Sequence, residues 1–186
     1  MVKRIFTQEE YTETSTAYVK GGVQYYLLRV DPQPFEEGKI IAIEEVYDHE
    51  PTQVDKDALY NSWLAMEKRV KVAEIIAYDV TDAVNVFELN GMLAWLDKAT
   101  RVGLVNSLTI EKAAGHTEST LYLNGHAFVL PIDNALAMLA ELELYAIACY
   151  QTTEAHKVNV NAMSVIEDVI AYDITADYPQ HPVFNV

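Results

Sequence analysis

Cysteine is almost absent from this chain. The one thiol, Cys149, has no partner for an internal disulfide, so the fold must stand on packing alone, as suits a reducing compartment. Glycine (7) and proline (6) are sparse across 186 residues, which excludes collagen-like and low-complexity architectures. No apolar stretch approaches the length that spans a bilayer. The opening MVKRIFTQEEYTET has no apolar run of the kind a secretory signal needs, so synthesis and retention in a cytoplasm are expected.

Positive charge is scarce as well. Thirteen Lys and Arg face 28 Asp and Glu, for a net charge of −15. The shortage is uneven: from Ala113 onward Lys157 is the only Lys or Arg, against nine carboxylates. A field of this sign repels phosphate, so neither nucleic acid nor an anionic membrane surface is an expected partner.

Apolar residues make up 51% of the chain, enough for a real core. Their pattern predicts an α+β fold in two parts. Residues 1–50 form a small N-terminal antiparallel β section, an arm or small sheet. Residues 51–186 form a helix-rich domain, with a hairpin at 119–130, able to fold without the first part. Within residues 15–48, Tyr18-Val19 and Val23 to Val30 flank Gly21-Gly22, a hairpin-compatible pair. Asp31-Pro32-Gln33-Pro34 ends that run, and Lys39 to Val46 is a third strand.

A helix opens at Pro51-Thr52, where Thr52 and Asp55 approximate a capping box. Leu59, Trp63, Met66, Val70, Ala73 and Ala77 then recur as one apolar stripe packed on the domain's own core. Val84 to Phe87 reads as a short strand closed by Asn90-Gly91, and Leu93 to Ala114 as helix capped by Gly115, with Asp97 and Arg101 pairing on its surface. Asn124-Gly125 is the clearest hairpin signal, because a type I′ turn needs positive φ at both positions. It sets Leu123 opposite His126 and Leu121 opposite Phe128, on a face shared with Leu130.

Pro131 to Tyr150 is apolar nearly all round and is expected to be the buried centre. Ala135, Met138, Leu142, Tyr145 and Cys149 mark one face; Leu136, Leu139 and Ala146 mark another. Thr153 reads as the cap of a further helix, which breaks and restarts near Ser164 and Glu167. An internal echo links residues 74–81 (EIIAYDVT) with 168–175 (DVIAYDIT). Each copy closes a helix and precedes a Val-Phe pair, so the two following strands are expected to pair in one sheet.

Candidate chemistry is thin. Cys149, with His156 seven residues on, is the obvious nucleophile, but an apolar helix treats cysteine as a small hydrophobe. His49, His116, His126, His156 and His181 show no chelating spacing. Glu36-Glu37, Glu44-Glu45, and Glu141 with Glu143, read as solvated charge rather than paired catalytic acids. No phosphate loop or nucleophile elbow occurs. No catalytic, cofactor-binding or metal-binding residue is therefore assigned. Among twelve tyrosines, Tyr25-Tyr26 in a strand leaves one ring exposed for contact.

Several segments together resemble a domain of unknown function that recurs in phages and prophages of gut bacteria. They are Ala77-Tyr78-Asp79; Trp95-Leu96-Asp97-Lys98-Ala99-Thr100-Arg101; Glu143, Tyr145-Ala146 and Cys149-Tyr150; Thr153; His156-Lys157; and Tyr172-Asp173, Thr175 and Tyr178-Pro179. The likeness spans about Glu44 to Phe184. Its members are usually encoded among virion genes, often tail-associated. The resemblance implies a structural, adaptor or assembly role in a virion, with other virion or assembly proteins as partners, or self-association, and no enzymatic activity to carry over. A small acidic inhibitor that mimics nucleic acid is the alternative. Residues 1–49 are expected to carry the docking contact.

Overall fold

The computed structural model describes residues 1–185 and shows an α+β protein of two compact units. The first comprises Met1–Val70 and Met163–Ala171; the second, Lys71–Ala162 and Tyr172–Val186. These differ from the expected parts, 1–50 and 51–186. The reason lies in what the sheet needs: four strands with one apolar face require a cover, and helical segments from 51–70 and 163–171 supply it.

In the first unit, β1 (Val2–Thr7), β2 (Thr14–Lys20), β3 (Val23–Pro34) and β4 (Lys39–Tyr47) form an antiparallel sheet in the order β1-β4-β3-β2. Strand β1 was not foreseen, because VKRIFT mixes charge and apolar residues on both faces. Gly21 and Gly22 turn β2 into β3 with φ of 60° and 80°. The proline segment does not end β3. A bulge at Asp31 (φ 54°) lets the strand resume at Gln33 opposite Ile41. Strand β2 pairs with β3 only as far as Leu28, so the missing N–H of each proline breaks no ladder on that side.

One sheet face carries Leu28, Val30 and Ile43, all buried. Covering it are the first part of α1 (Gln53–Asp79), with Leu59 and Trp63 buried, and α4 (Ile166–Ala171), with Ile166 and Val169 buried. The Lys3 ammonium lies over the Trp63 ring and pairs with Glu67 at 3.0 Å. The capping box at the start of α1 forms: Thr52 N–H donates to Asp55 at 2.7 Å, and Asp55 N–H to Thr52 Oγ1 at 3.4 Å. The apolar stripe holds only at its start. Leu59 and Trp63 are buried, whereas Val70, Ala73 and Ala77 are exposed and Ile75 is the buried position further on. The shift falls where α1 passes from one unit into the other.

The second unit holds β5 (Phe87–Leu89), β6 (Met92–Ala94), α2 (Lys98–Ala113), β7 (Glu118–Leu123), β8 (His126–Pro131), α3 (Ile132–Ala162) and β9 (Val183–Phe184). Asn90-Gly91 is a hairpin turn (φ 49° and 80°), so Met92 to Ala94 is strand rather than the start of a helix. Helix α2 begins later, because the Asp97 side chain accepts from Thr100 N–H and caps it. Gly115 (φ 89°) closes it as expected. The hairpin of β7 and β8 has the expected turn and register, Leu123 opposite His126 and Leu121 opposite Phe128. The echoed segments also behave as expected: β5 and β9 pair in parallel, Glu88 with Val183 and Leu89 with Phe184.

Helix α3 runs unbroken through Thr153 to Ala162, so Thr153 caps nothing. The break and restart near Ser164 are present, and Ile166 N–H donates to the Tyr60 hydroxyl there. Ala135, Met138, Leu142, Tyr145 and Cys149 are buried in a row. The helix is not buried all round, however: Leu144 is 68% exposed and Tyr150 62%. The main core joins Phe87, Leu89, Leu121, Leu130, Leu139 and Leu142. None of the helices described is long and apolar enough to cross a membrane.

Candidate functional site

Three features of the structure could do chemistry or make contacts: a polar network on α3, a groove between α2 and α3, and the edge of the first unit's sheet.

The network follows a stripe on α3, Tyr145, Cys149, Thr153, His156 and Val160, whose spacing of four, four, three and four keeps one face buried. Thr153 Oγ1 lies 2.6 Å from Asp79 Oδ1 and 2.8 Å from the Tyr178 hydroxyl. A carboxylate only accepts, so Thr153 donates to Asp79 and Tyr178 donates to Thr153. His156 Nε2 is 2.9 Å from the Ala176 carbonyl, which also only accepts, so Nε2 carries the proton. Nδ1 then accepts from the Tyr172 hydroxyl at 2.7 Å, which itself accepts from Asn159. Each hydrogen in this chain has one consistent placement. The network ties both echoed Tyr-Asp exits to α3, Asp79 through Thr153 and Tyr172 through His156.

Cys149 is buried, and that burial pushes its thiol above the ordinary value, the reverse of what a nucleophile requires. Both ring nitrogens of His156 are committed elsewhere, to Tyr172 and Ala176. Burial likewise raises Tyr145, whose hydroxyl donates to the Val84 carbonyl at 2.7 Å.

The other candidates scatter. His49 is exposed between Asp48 and Asp55, and the Asp48 hydrogen bond raises its pKa. His116, His126 and His181 are exposed. Among the described residues, no three or more His, Cys, Asp or Glu side chains are gathered so as to hold a metal ion. Glu36 is exposed beside Lys39, and Glu37 and Glu141 are exposed. Glu44 corrects the reading of solvated charge: it is buried, held by Arg29 at 2.9 Å and Arg4 at 3.1 Å. Arg29 also donates to Thr12 and Ser15 and covers the Phe6 ring. Tyr25 and Tyr26 are both half-buried, Tyr25 stacked on Tyr18 at 4.8 Å.

Arg101 is a second correction. It is buried, and it pairs with Glu143 on α3 (2.9 and 2.8 Å) rather than with Asp97. Its guanidinium also donates to the Leu96 carbonyl and lies over Trp95. Lys112 pairs with Asp133. Eleven residues separate the two bases on α2 and ten separate the two acids on α3, in opposite order, so the helices are antiparallel. Two depressions of about 280 and 380 Å3 flank the Arg101–Glu143 bridge. Ile147 and Tyr150 line the first; Val102, Val105 and Leu136 line the second. Sequence reasoning missed this groove because Arg101 and Glu143 are 42 positions apart.

On the first unit's sheet, the two edges differ. Strand β2 is interrupted between Thr16 and Tyr18 by a register shift, which spoils it as a template. Strand β1 pairs with β4 without a break from Val2 to Thr7. Its two charges are drawn to opposite faces, Lys3 to Glu67 and Arg4 to Glu44.

Comparisons with protein-family models, curated proteins and solved structures found no match.

Proposed function

We propose that this chain is a phage or prophage virion-associated assembly protein, a tail-region adaptor or accessory, that acts by protein–protein contact rather than catalysis. The virion setting rests on the resemblance of the Ala77 to Pro179 motifs. The observation that carries the mode of action is β1: a regular six-residue edge strand whose outer side meets no strand among the described residues. Val2 and Ile5 are each 49% exposed on it. Such an edge accepts a strand of another subunit by backbone hydrogen bonding, with side-chain alternation setting the register.

The nucleic-acid mimic is the weaker reading, since a mimic needs free carboxylates in phosphate-like rows. Here Glu13 pairs with Lys56, Glu36 with Lys39, Glu67 with Lys3, Glu74 with Lys71 and Glu154 with Lys157.

The test places a lysine at both Val2 and Ile5 (V2K/I5K), charges of the kind that deter strand addition. The variant should melt like the parent but be missing from purified particles and from pull-downs out of infected cells. A variant that enters particles at the parental level rules out the edge contact. A protein absent from particles, whose partner is lost steeply with salt, would favour the acidic inhibitor.

A further inference from the structure

The ladder of β1 on β4 fixes which backbone groups of that edge stay free. Gln8 N–H donates to the Gly38 carbonyl at 3.0 Å, one step beyond the pairing of Thr7 with Lys39. Hydrogen-bonding residues alternate along an antiparallel strand. Val2, Arg4 and Phe6 therefore turn their backbone groups to β4, and Lys3, Ile5 and Thr7 turn theirs outward. Lys39 agrees: its N–H goes to Glu36 and its carbonyl accepts from Phe35, both in the turn before β4. Thr7 is already used, its N–H by the Glu10 carboxylate at 3.2 Å and its carbonyl by the Glu10 and Tyr11 N–H groups at 3.1 Å. The open template is the segment Lys3-Arg4-Ile5.

Charge at the centre of this template is unbalanced. The Met1 amine is matched by Glu45, and Lys3 by Glu67. Glu44, in contrast, is one carboxylate facing two guanidiniums, Arg29 at 2.9 Å and Arg4 at 3.1 Å. Arg29 is its buried partner, while the Arg4 side chain is 62% exposed. Arg4 is thus a surplus cation in a chain of net charge −15, and it stands in the middle of the free segment.

We propose that the strand added to β1 belongs to a different chain and sets a carboxylate, flanked by apolar residues, opposite Arg4. This rests on the reading of β1 as the docking edge and names what that edge selects.

A second copy fails on register. Antiparallel pairing through the free groups of both residues sets Lys3 opposite Ile5 of the other copy, and Arg4 opposite Arg4 across the two-fold axis. With the axis at Lys3, two ammonium groups face each other. With the axis at Ile5, Lys3 meets the occupied Thr7. Like charges directly opposite destabilise a strand pair. An Asp or Glu opposite Arg4 supplies the missing charge whichever way the added strand runs, because Arg4 lies between the two outward-facing residues. The neighbours of that acid fall on the other sheet face, against Ile5 and the stem of Lys3, where apolar side chains fit.

The experiment titrates the full chain with three end-blocked peptides, TVEVT, TVQVT and TVKVT, read by amide chemical shifts in solution NMR. TVEVT should move the Lys3 and Ile5 amides and bind at least about tenfold more tightly than TVKVT. Arg4→Gln should keep the parental melting curve, since Arg29 still holds Glu44, and should bind TVEVT and TVQVT equally. If TVEVT leaves the Lys3 and Ile5 amides unmoved, the proposal is overturned. Equal binding of the three peptides to the parent also overturns it, but leaves β1 standing as an edge open to any strand. A concentration-dependent dimer of the purified chain, lost in V2K/I5K, overturns it in favour of a second copy. The docking role of β1 is read by entry into particles, so that reading and this one fail separately.

Discussion

Each unit buries an arginine against a glutamate, Arg29 on Glu44 and Arg101 on Glu143, and the two pairs are built differently. In the first unit both partners are buried, Arg29 at 7% exposure and Glu44 at 3%. They sit on neighbouring strands, directly opposite one another. In the second unit Arg101 is 5% exposed, but the Glu143 side chain keeps 36% of its surface. The sheet pair has exchanged its water for fixed partners: Thr12, Ser15 and Arg4. The helix pair keeps water on the carboxylate side. Charge inside the sheet is therefore an obligation of the fold, whereas charge between the helices remains accessible from outside.

Removing the arginines tests that contrast most directly. Arg29→Met should cost on the order of 3–5 kcal/mol in urea unfolding, because it strips Glu44 of its buried partner. Arg101→Met should cost less, about 1–3 kcal/mol, because water can reach Glu143. Equal losses would erase the distinction between the pairs.

Gly125→Val sharpens the comparison from the side of the backbone. It should destabilise the protein by about 1–3 kcal/mol, since a β-branched residue resists the φ of 80° at that turn. An unmoved melting curve would show that the turn tolerates another geometry. Cys149→Ala should cost about 1 kcal/mol through the vacated volume, and native Cys149 should react slowly with thiol reagents. Rapid labelling would contradict its burial.

The smallest effect concerns the helix starts, one opening in each unit. Asp55 is held below its ordinary pKa by the Thr52 side chain, and Asp97 by the Thr100 backbone N–H. A carboxylate depressed in the folded state stabilises above its unfolded pKa, and that stability is lost as pH falls through the folded one. Acid titration of the melting temperature should therefore flatten slightly in Asp97→Asn, which keeps a capping oxygen but no charge. An unchanged acid limb would show that Asp97 caps without its charge mattering.

What the sequence made legible was local. Asn124-Gly125 dictates its hairpin, the α3 stripe identifies its buried face, and the echoed Tyr-Asp segments foretell that the strands after them share one sheet, as β5 and β9 do. What it concealed depends on distant partners. Asn90-Gly91 carries the same turn signal, but the short strand after it looks helical until β5 is beside it. Thr153 resembles a helix cap because nothing nearby reveals Asp79, 74 positions earlier. Glu44 resembles surface charge because its neighbour Glu45 is half-buried, and Arg29 and Arg4 come from other strands.

Helix α1 begins in one unit and ends in the other, and the chain returns to the first unit for Met163–Ala171 before leaving again. Neither unit is thus a contiguous stretch of polypeptide. A recombination event that exchanged residues 1–70 between two such genes would import a sheet whose own covering helix, α4, stayed behind. The interface between α4 and its sheet, at Ile166, Ile41 and Ile43, would then be a chimera of two histories. For proteins that evolve by swapping gene segments, this connectivity makes the whole chain the smallest piece that can be traded intact.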